Sequence, residues 1–372
     1  MALQKKVCHM TTVHAADDVR IFQKECKSLL ADGYEVYLIA SNRVMNSSSN
    51  IDKYLSWVVL NGESGRFLRA LKKGYECFSK AIEVDADIYH FHDPELIPYA
   101  VILALKGKKV IYDVHEDLPE DIKIKKWIPW FIRPMASFLA KSIEFIGAKY
   151  FFEVVCATSH IAERFSQAQP RTIVVNNFPM QSEFPDEKVG CQVLSSFCYI
   201  GGFTEERGLA DVIKSLEYLD SEIDLVLAGE FQGDGFERRV KKLSSWSRVK
   251  NKGWAGRGEV RDIMKSSFAG IVTLHPTSTY IVSLPVKMFE YMASGIPVIA
   301  SDFELWRDIV QDNNCGLLVD PCSPEHIASA VKYLYANPDE ARVMGKNGRL
   351  AFEEKYSWES EEKKLISLYA SL

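Results

Sequence analysis

The chain has 372 residues, a length that favours two domains of ordinary size, each with its own hydrophobic core. A hydrophobic share of 47% and a charged share of 26% are those of a soluble globular protein. The formal net charge of −5 argues against generic nucleic-acid binding, so we expect no nucleic-acid partner and look for ligands at local groups.

The eight cysteines are scattered, without a C-x-x-C pair, and several lie inside apolar runs such as 154–157. This pattern favours buried thiols in a reduced cytosolic compartment over a disulfide scaffold. Residues 1–6 lack the long apolar region of a signal peptide, and no run of about 18 apolar residues could span a bilayer. We therefore expect a cytoplasmic protein that can still lie on the inner face of the cytoplasmic membrane.

Strand and helix patterns alternate through the first half of the chain. Strands are predicted at 7–13, 35–40, 88–91, 110–113, 154–157 and 172–175, and a helix at 19–30. Strands that alternate with helices indicate right-handed βαβ units and a parallel sheet. A boundary is expected near 176–179, followed by polar residues to about 190.

Polar clusters follow three of these strands, at 14–20, 90–95 and 113–117. Asp17 or Asp18 is also a natural cap for the next helix. The residue types resemble a metal site, but their spacing matches no standard ligand pattern, so we expect no metal. The histidines are expected to hydrogen-bond a polyhydroxylated substrate or to transfer protons. His90, which alternates with His92 along its strand, is expected to be structural.

Residues 122–133 interleave cations with tryptophans, as interfacial membrane segments do. A helix that covers one face of the sheet would also be apolar. Both interpretations stay open for 122–133, whereas 135–152 is expected to belong to the core.

The alternation restarts in the second half. Strands are predicted at 197–200, 225–228, 270–274 and 298–300, and a helix at 209–219. Two Rossmann-like halves are therefore expected, with ligands at the carboxyl ends of the strands and in a cleft between the halves.

Gly201 and Gly202 follow the first strand of the second half, and Arg207 comes shortly after them. Glycines let a ligand approach the backbone, and an arginine can hold a phosphate with two hydrogen bonds. Glycine turns after strands are common, so the pattern by itself also fits a purely structural turn.

A helix followed by a buried strand is predicted around Pro285, with Ser283 as N-cap and Gly295 as the residue that ends the helix. Lys287 and Glu290 share one face near its start. Lys287 and the free backbone N–H groups at the start of the helix suit a phosphate. Glu290 can accept two hydrogen bonds from a vicinal diol such as a ribose. The alternative is a solvated Lys–Glu pair that binds nothing.

Together these stretches resemble the retaining nucleotide-sugar glycosyltransferases of glycosyltransferase family 4. Residues 285–302 are similar to the family's P-x-K-x-x-E-Y-M-A-x-G-x-P-V-I-A-S-D motif, and 199–209 to the glycine-rich element of its donor domain. The weaker similarities are 87–92 and 112–116 to acceptor-domain strand ends, 18–25 to the first helix of bacterial polysaccharide members, and 356–359 to the start of the last helix.

The resemblance implies the GT-B fold, an α/β architecture of two Rossmann-like parallel-sheet domains that face each other across a cleft. It implies an acceptor domain at 1–180, a donor domain at 190–355, and a C-terminal helix, 356–372, that crosses back to the first domain. The implied reaction moves a hexosyl-type sugar from a nucleoside-diphosphate sugar to a glycan or lipid-linked glycan, in lipopolysaccharide or capsule synthesis.

The resemblance also implies residue roles. Donor binding would fall to Gly201, Gly202, Arg207, Ser283, Leu284, Lys287 and Glu290, with Glu290 on the ribose. His115 would lie against the donor sugar and, with Glu290, count as catalytic. The acceptor would meet His14, Asp18, Arg20, His92 and Glu116. No metal or other cofactor is implied, because cations and helix-terminal amides would neutralise the leaving diphosphate. Retention would follow same-face attack, with the departing phosphate accepting the acceptor's proton.

Three positions depart from the family pattern. Val282 stands where a second glutamate is usual, so the donor sugar cannot be inferred. Gly202 stands where many members have an arginine, which leaves Arg207 as the main phosphate ligand of its loop. The first loop, 14–18, lacks the usual paired glycines and is expected to meet the acceptor.

Two other functions stay open. A nucleotide-sugar epimerase of the same architecture would convert donor without acceptor, and a catalytically silent glycan-binding protein would fit the missing glutamate at Val282. A nicotinamide-dependent dehydrogenase is disfavoured, because residues 10–20 contain no glycine for a G-x-G-x-x-G turn.

Overall fold

The computed structural model describes residues 5–41, 54–60, 66–125, 127–185 and 194–372. The chain divides into two compact units, residues 1–177 with 361–372, and residues 178–360. Each unit is built on one parallel sheet. The predicted α/β class with two parallel sheets is confirmed, whereas the acceptor and donor roles of the units stay predictions.

The first unit has seven parallel strands in the order β3-β2-β1-β4-β5-β6-β7. The strands are β1 Lys6–Met10, β2 Glu35–Ala40, β3 Leu55–Val59, β4 Ile88–Phe91, β5 Lys109–Val114, β6 Glu153–Cys156 and β7 Thr172–Val174. Its helices are a π-helical turn Val19–Cys26, α1 Lys27–Ala31, α2 Arg66–Val84, α3 Ile97–Leu105, α4 Leu118–Ile124, α5 Arg133–Ala148 and α6 Ser159–Ser166. β1 pairs with β2 and β4, so the order reverses beside β1, where ligands of such sheets bind.

The helix predicted after β1 is present, but its first part, Val19–Cys26, is π-helical. Of the two candidate caps, Asp18 takes the position: its carboxylate accepts hydrogen bonds from the N–H groups of Arg20 and Ile21. The wider π turn is a feature that apolar spacing cannot reveal.

The expectation that 135–152 is core is wrong for the outward side of α5. Phe138 is 73% exposed, and Met135 and Ile146 are also largely exposed, while the inward side buries Ser137 and Gly147. The expectation rests on the apolar content of the helix, but the small inward residues show that α5 packs by the opposite face.

The second unit has six parallel strands in the order β10-β9-β8-β11-β12-β13. The strands are β8 Ser196–Ile200, β9 Asp224–Ala228, β10 Val249–Asn251, β11 Gly270–Val272, β12 Val298–Ser301 and β13 Gly316–Val319. Its helices are α7 Leu209–Ser215, α8 Asp234–Val240, α9 Arg257–Lys265, α10 Val286–Ala293, α11 Glu304–Val310, α12 Pro324–Ala336 and α13 Pro338–Glu354. The last helix, α14 Trp358–Ala370, begins in this unit, and its residues from 361 onward belong to the first.

Buried helix α10 lies at the centre of the second unit's core. Met288, Phe289, Tyr291 and Met292 are all fully buried in it. The prediction that Gly295 ends the helix is confirmed, since it has φ +71°.

The N-cap prediction for α10 is wrong, because Pro285 and not Ser283 holds that position. The Ser283 hydroxyl instead donates to the Tyr280 carbonyl in a tight turn before the helix. A serine that can bond its own preceding turn is not available to cap the helix after it. Within the described residues, no helix is long and apolar enough to cross a membrane.

Candidate functional site

In the second unit, the loops that follow β8 and β9 come into close contact at two glycines. The Gly201 N–H donates to Ala228 at 2.9 Å, and a Cβ at Gly229, which has φ +150°, would lie 1.8 Å from the Gly201 carbonyl oxygen. Only glycine permits this approach at Gly229. The loop at 201–202 thus packs on the loop after β9 through backbone atoms alone. This contact leaves its other side available for a bulky anion.

A cavity of about 320 Å³ lies over these glycines. Gly201, Gly202 and Lys287 line it, as does Trp254, whose side chain is 73% exposed. Trp254 was not among the predicted site residues, because a lone tryptophan after the short strand β10 carries no motif. An exposed aromatic plane beside a cavity offers a stacking surface for a flat ring.

Arg207 and Lys287 both reach Gly201. A Cβ at Gly201 would lie 3.6 Å from an Arg207 guanidinium nitrogen and 4.0 Å from Lys287 Cε. The Tyr199 hydroxyl donates to the Arg207 carbonyl at 3.1 Å, which fixes the backbone of that arginine. Two cations therefore converge on one glycine turn, an arrangement suited to a diphosphate.

Glu290 is buried, with 1% of its surface exposed. Its Oε2 accepts from Lys287 Nζ at 2.6 Å, and its Oε1 accepts from Arg257 Nη1 at 2.9 Å. The Lys287–Glu290 pair of the alternative prediction is present, but it is not solvated as that alternative supposed, since the Glu290 carboxylate is removed from water. Arg257, the first residue of α9, was missed because β10 before it was not predicted.

Ser283 and Leu284 precede α10 without offering side-chain groups to the cavity. The Ser283 N–H and hydroxyl both donate to the Tyr280 carbonyl, at 3.2 and 3.0 Å, and its own carbonyl accepts from the Trp306 indole at 2.8 Å. Leu284 packs against the core.

In the first unit, a cavity of about 560 Å³ lies at the carboxyl ends of β1, β4 and β5. Its walls include all five predicted acceptor residues and His115, namely His14, Asp18, Arg20, His92, His115 and Glu116. Sequence reasoning therefore selected groups that the fold brings together from three strand ends.

His14 and Asp18 form a pair at the rim of this cavity. His14 Nδ1 lies 3.3 Å from the Asp18 carboxylate, and this hydrogen bond raises the pKa of His14. Burial opposes ionisation of Asp18, but the bonds from His14 and from the Ile21 N–H outweigh it and lower the pKa of Asp18 to about 2.

His115 lies deeper, with Nε2 2.9 Å from Asp113 Oδ2 and 3.2 Å from His92 Nδ1. Burial lowers the pKa of His92 to about 4, so this imidazole is neutral near pH 7. Burial alone would raise the pKa of Asp113, but Arg20 and His115 hold it well below its usual range. The Nε2 side of His115 is therefore fixed by a buried carboxylate.

Arg20 does not present its guanidinium to the cavity as the acceptor prediction requires. It is 4% exposed, donates to both oxygens of Asp113 at 2.7 and 3.0 Å and to the Val175 carbonyl, and lies 3.1 Å from Glu25. The arginine pairs with the ionised Asp113 carboxylate and lies beside Glu25, whose pKa is raised by burial and by the charge of Asp113. The geometry therefore favours a positioning role beneath His115 over contact with a ligand.

His90 is fully buried, and its Nδ1 lies 2.7 Å from the Tyr369 hydroxyl of α14. Burial lowers the pKa of His90 well below its ordinary value. This burial agrees with the expectation that His90 is structural, which stays a prediction.

Four buried groups in this unit, Glu25, His90, His92 and Asp113, place their ligand atoms within 4.8 Å of one another. Arg20 already compensates the charge of Asp113, and the raised pKa of Glu25 disfavours a second negative charge, which leaves little need for another cation there. The expectation that no metal is used stays a prediction.

Part of the second unit matches a known protein family. Residues 195–351 match the family of glycosyl transferases group 1. An uncharacterised glycosyltransferase of Methanocaldococcus jannaschii is 25% identical over 185 residues, which are 47% of this chain and 45% of that protein. The chain spans less than half the length of the first curated relatives it matches.

Solved structures resemble the chain over its whole length. Sucrose-phosphate synthase of Thermosynechococcus elongatus superposes with a TM-score of 0.77 at 18% identity, covering 99% of each chain. HepE of Anabaena, solved in complex with UDP, superposes with a TM-score of 0.74 at 13% identity, covering 100% of each chain. The fold is GT-B. At these identities the likeness shows the fold alone.

Proposed function

We propose that the protein is a retaining glycosyltransferase that moves a sugar from a nucleoside-diphosphate sugar to a glycan or lipid-linked glycan in cell-surface polysaccharide synthesis. The observation that carries the proposal is the convergence of Arg207 and Lys287 on the Gly201 turn, beside the buried carboxylate of Glu290. This set lies inside the region that matches the glycosyl transferases group 1 family.

In the proposed donor site, Arg207, Lys287 and the amides near Leu284 bind the diphosphate, and Glu290 accepts hydrogen bonds from the ribose. Each oxygen of Glu290 already accepts one hydrogen bond, from Lys287 or from Arg257, and has a second lone pair with which it can accept a bond from a ribose hydroxyl. Trp254 is proposed to lie along the base.

In the proposed reaction the acceptor hydroxyl oxygen bonds to the anomeric carbon while the carbon–oxygen bond to the diphosphate breaks. The leaving diphosphate takes the hydroxyl proton on the same face, so configuration is retained. Arg207 and Lys287 stabilise the charge that grows on the diphosphate, in place of a metal ion. His115 is proposed to contact the donor sugar, held in orientation by Asp113.

The acceptor is proposed to bind in the cavity of the first unit, against His14, Asp18 and Glu116. His92, which was predicted as an acceptor contact, has a fully buried side chain and is proposed, like Arg20, to act through Asp113 and His115. The protein is proposed to work in the cytoplasm without a cofactor, and residues 122–133 to touch the inner face of the cytoplasmic membrane. Lys126 of that segment lies outside the described residues.

The first experiment is a thermal-shift screen with UDP, GDP, ADP and their common sugar conjugates in EDTA. A shift with one nucleotide would fix the base, since a ligand of the folded state raises the melting temperature by mass action. Glu290→Ala and Arg207→Ala are then expected to lower donor turnover at least about 100-fold, as loss of a transition-state contact does, while the fold persists.

Arg342→Ala is the matched control, because it removes an exposed arginine that pairs with Asp339 on α13. Unchanged turnover in both site variants would overturn the assignment of the donor site. Conversion of donor without acceptor would favour the epimerase. Nucleotide binding without any turnover, in the presence of lipid-linked acceptor, would favour the silent glycan-binding protein.

A further inference from the structure

We propose that α5 lies in the surface of an anionic lipid bilayer and inserts its outward face among the lipids. That face consists of Met135, Phe138, Leu139, Ile143 and Ile146 and is called the α5 face. The inference deepens the membrane contact proposed for 122–133 and rests on it, but not on the proposed chemistry.

Side chains on α5 are distributed in the reverse of the usual order for a surface helix. The five residues of the α5 face are 43–73% exposed. The inward side buries Ser137, Glu144, Gly147 and Ala148, which are small or polar. A helix of a water-soluble surface turns its large apolar residues inward, so the α5 face is built for an apolar environment outside the protein.

The inward packing of α5 is specific, so the helix cannot roll to hide this face. The Glu144 carboxylate accepts from Arg164 at 2.8 Å and from the Tyr112 hydroxyl at 3.1 Å. A Cβ at Gly147 would lie 2.6 Å from a side-chain carbon of Ile97, so α3 and α5 meet closely there. Rotation would break a buried ion pair and create a clash.

The segment before α5 continues the apolar surface with aromatic residues. Trp127, Trp130 and Phe131 are 63%, 78% and 66% exposed. Tryptophan is favoured at the level of lipid headgroups, where its ring meets acyl chains and its N–H meets water.

Charge selects an anionic bilayer as the occupant. Glu144 is the one acidic residue of α5 and points inward, whereas Lys141 and the following Lys149 are exposed beside the α5 face. A second copy of this surface would bring lysines toward lysines, but anionic headgroups pair with them. The pattern of cations around an apolar stripe is that of a helix lying in the plane of the interface.

The test is co-sedimentation of the full chain with vesicles of phosphatidylcholine containing 30% phosphatidylglycerol, at low salt, against vesicles of phosphatidylcholine alone. We expect binding that requires the anionic lipid, with a blue shift of tryptophan fluorescence. Phe138→Asp is expected to lower the bound fraction at least about 10-fold, and Lys141→Glu with Lys149→Glu to remove the preference for anionic lipid.

Val343→Asp on α13 is the control, since it places the same charge on another exposed apolar residue. Equal binding by the Phe138 and Val343 variants, or no binding by the wild type, would overturn the proposal. Light scattering that shows a dimer lost in Phe138→Asp, without vesicle binding, would make the α5 face a self-association surface and also overturn it. Donor turnover, measured separately, is expected to be unchanged in Phe138→Asp. A failure of the membrane proposal can therefore be told apart from a failure of the proposed glycosyltransferase activity.

Discussion

At the scale of single residues, Asp113 links the polar groups beneath His115. It accepts two hydrogen bonds from Arg20 and lies 2.9 Å from His115 Nε2, all inside the protein. Because the pKa of Asp113 is depressed in the folded state, its contribution to stability is present above pH 3.8 and is lost as the pH falls through the folded value. The residue thus serves both stability and the orientation of a site histidine.

Asp113→Asn is expected to destabilise the first unit by about 3–5 kcal/mol near pH 7, because it removes the buried carboxylate that accepts two hydrogen bonds from Arg20. Glu25, 3.1 Å from Arg20, has a raised pKa and can replace that charge only by ionising in a buried place. Urea unfolding measures the change. Asp302→Asn, which breaks an exposed pair with Arg307, is the control and is expected to cost less than about 1 kcal/mol. Similar losses in the two variants would contradict the role assigned to the buried pair.

At the scale of elements, the strand-to-loop turns of the second unit decide whether its cavity exists. Gly229 ends β9 against the carbonyl of Gly201, and any side chain there must push the two loops apart. The helix α10, whose residues from Met288 to Ala293 are buried in the core, supplies Lys287 and Glu290. The charged groups of the site therefore come from α10, and the close approach of the loops from glycine.

Gly229→Ala is expected to weaken nucleotide binding at least about 10-fold, measured by calorimetry with the nucleotide that the screen selects. Gly233→Ala is the matched control, because Gly233 also has positive φ, +106°, but a Cβ there would meet no atom within 4 Å. Both variants carry the backbone cost of about 1–2 kcal/mol for a left-handed residue, so only the close approach differs. Equal binding by the two variants would show that the approach of the loops is not needed.

At the scale of the whole molecule, the two units differ in how they respond to acid. His9, His90 and His92 are buried in the first unit, and burial lowers the pKa of each. The histidines of the second unit, His275 and His326, are not buried. Below about pH 6.5 these histidines bind protons in the unfolded chain but stay neutral in the folded unit. The stability of the first unit therefore falls as the pH is lowered toward the pKa values that these histidines have in the folded state.

Scanning calorimetry between pH 7.5 and 5 is therefore expected to show one transition that moves to lower temperature more steeply than the other. Glu25, whose pKa is raised, makes stability rise as the pH falls and so opposes the effect of the histidines. Comparing the wild type with His90→Gln therefore isolates the contribution of one histidine. Between pH 6.5 and 5, the free energy of unfolding of His90→Gln is expected to fall less steeply with pH than that of the wild type, by up to about 1.4 kcal/mol per pH unit. An unchanged slope would mean that His90 titrates alike in the folded and unfolded states.

Local sequence patterns predict the alternation of strands and helices, the α/β class and the polar residues at strand ends that line the first unit's cavity. In the second unit's cavity they select Gly201, Gly202 and Lys287, but not the other lining residues. The patterns are apolar periods, glycines after strands, and polar residues at strand ends. Residues 285–295 were predicted closely because helix, glycine stop and strand are all encoded within a few neighbours.

The partners of the buried polar groups follow from the packing of elements that are far apart in the chain. Arg20 carries no mark in the sequence that distinguishes a ligand-binding arginine from one that pairs with the buried Asp113. Arg257 reaches Glu290 across 33 residues of chain, and α5 packs by its small residues because Ile97 and Arg164 meet it there. Contacts between residues far apart in sequence depend on how elements pack, and no local pattern reports them.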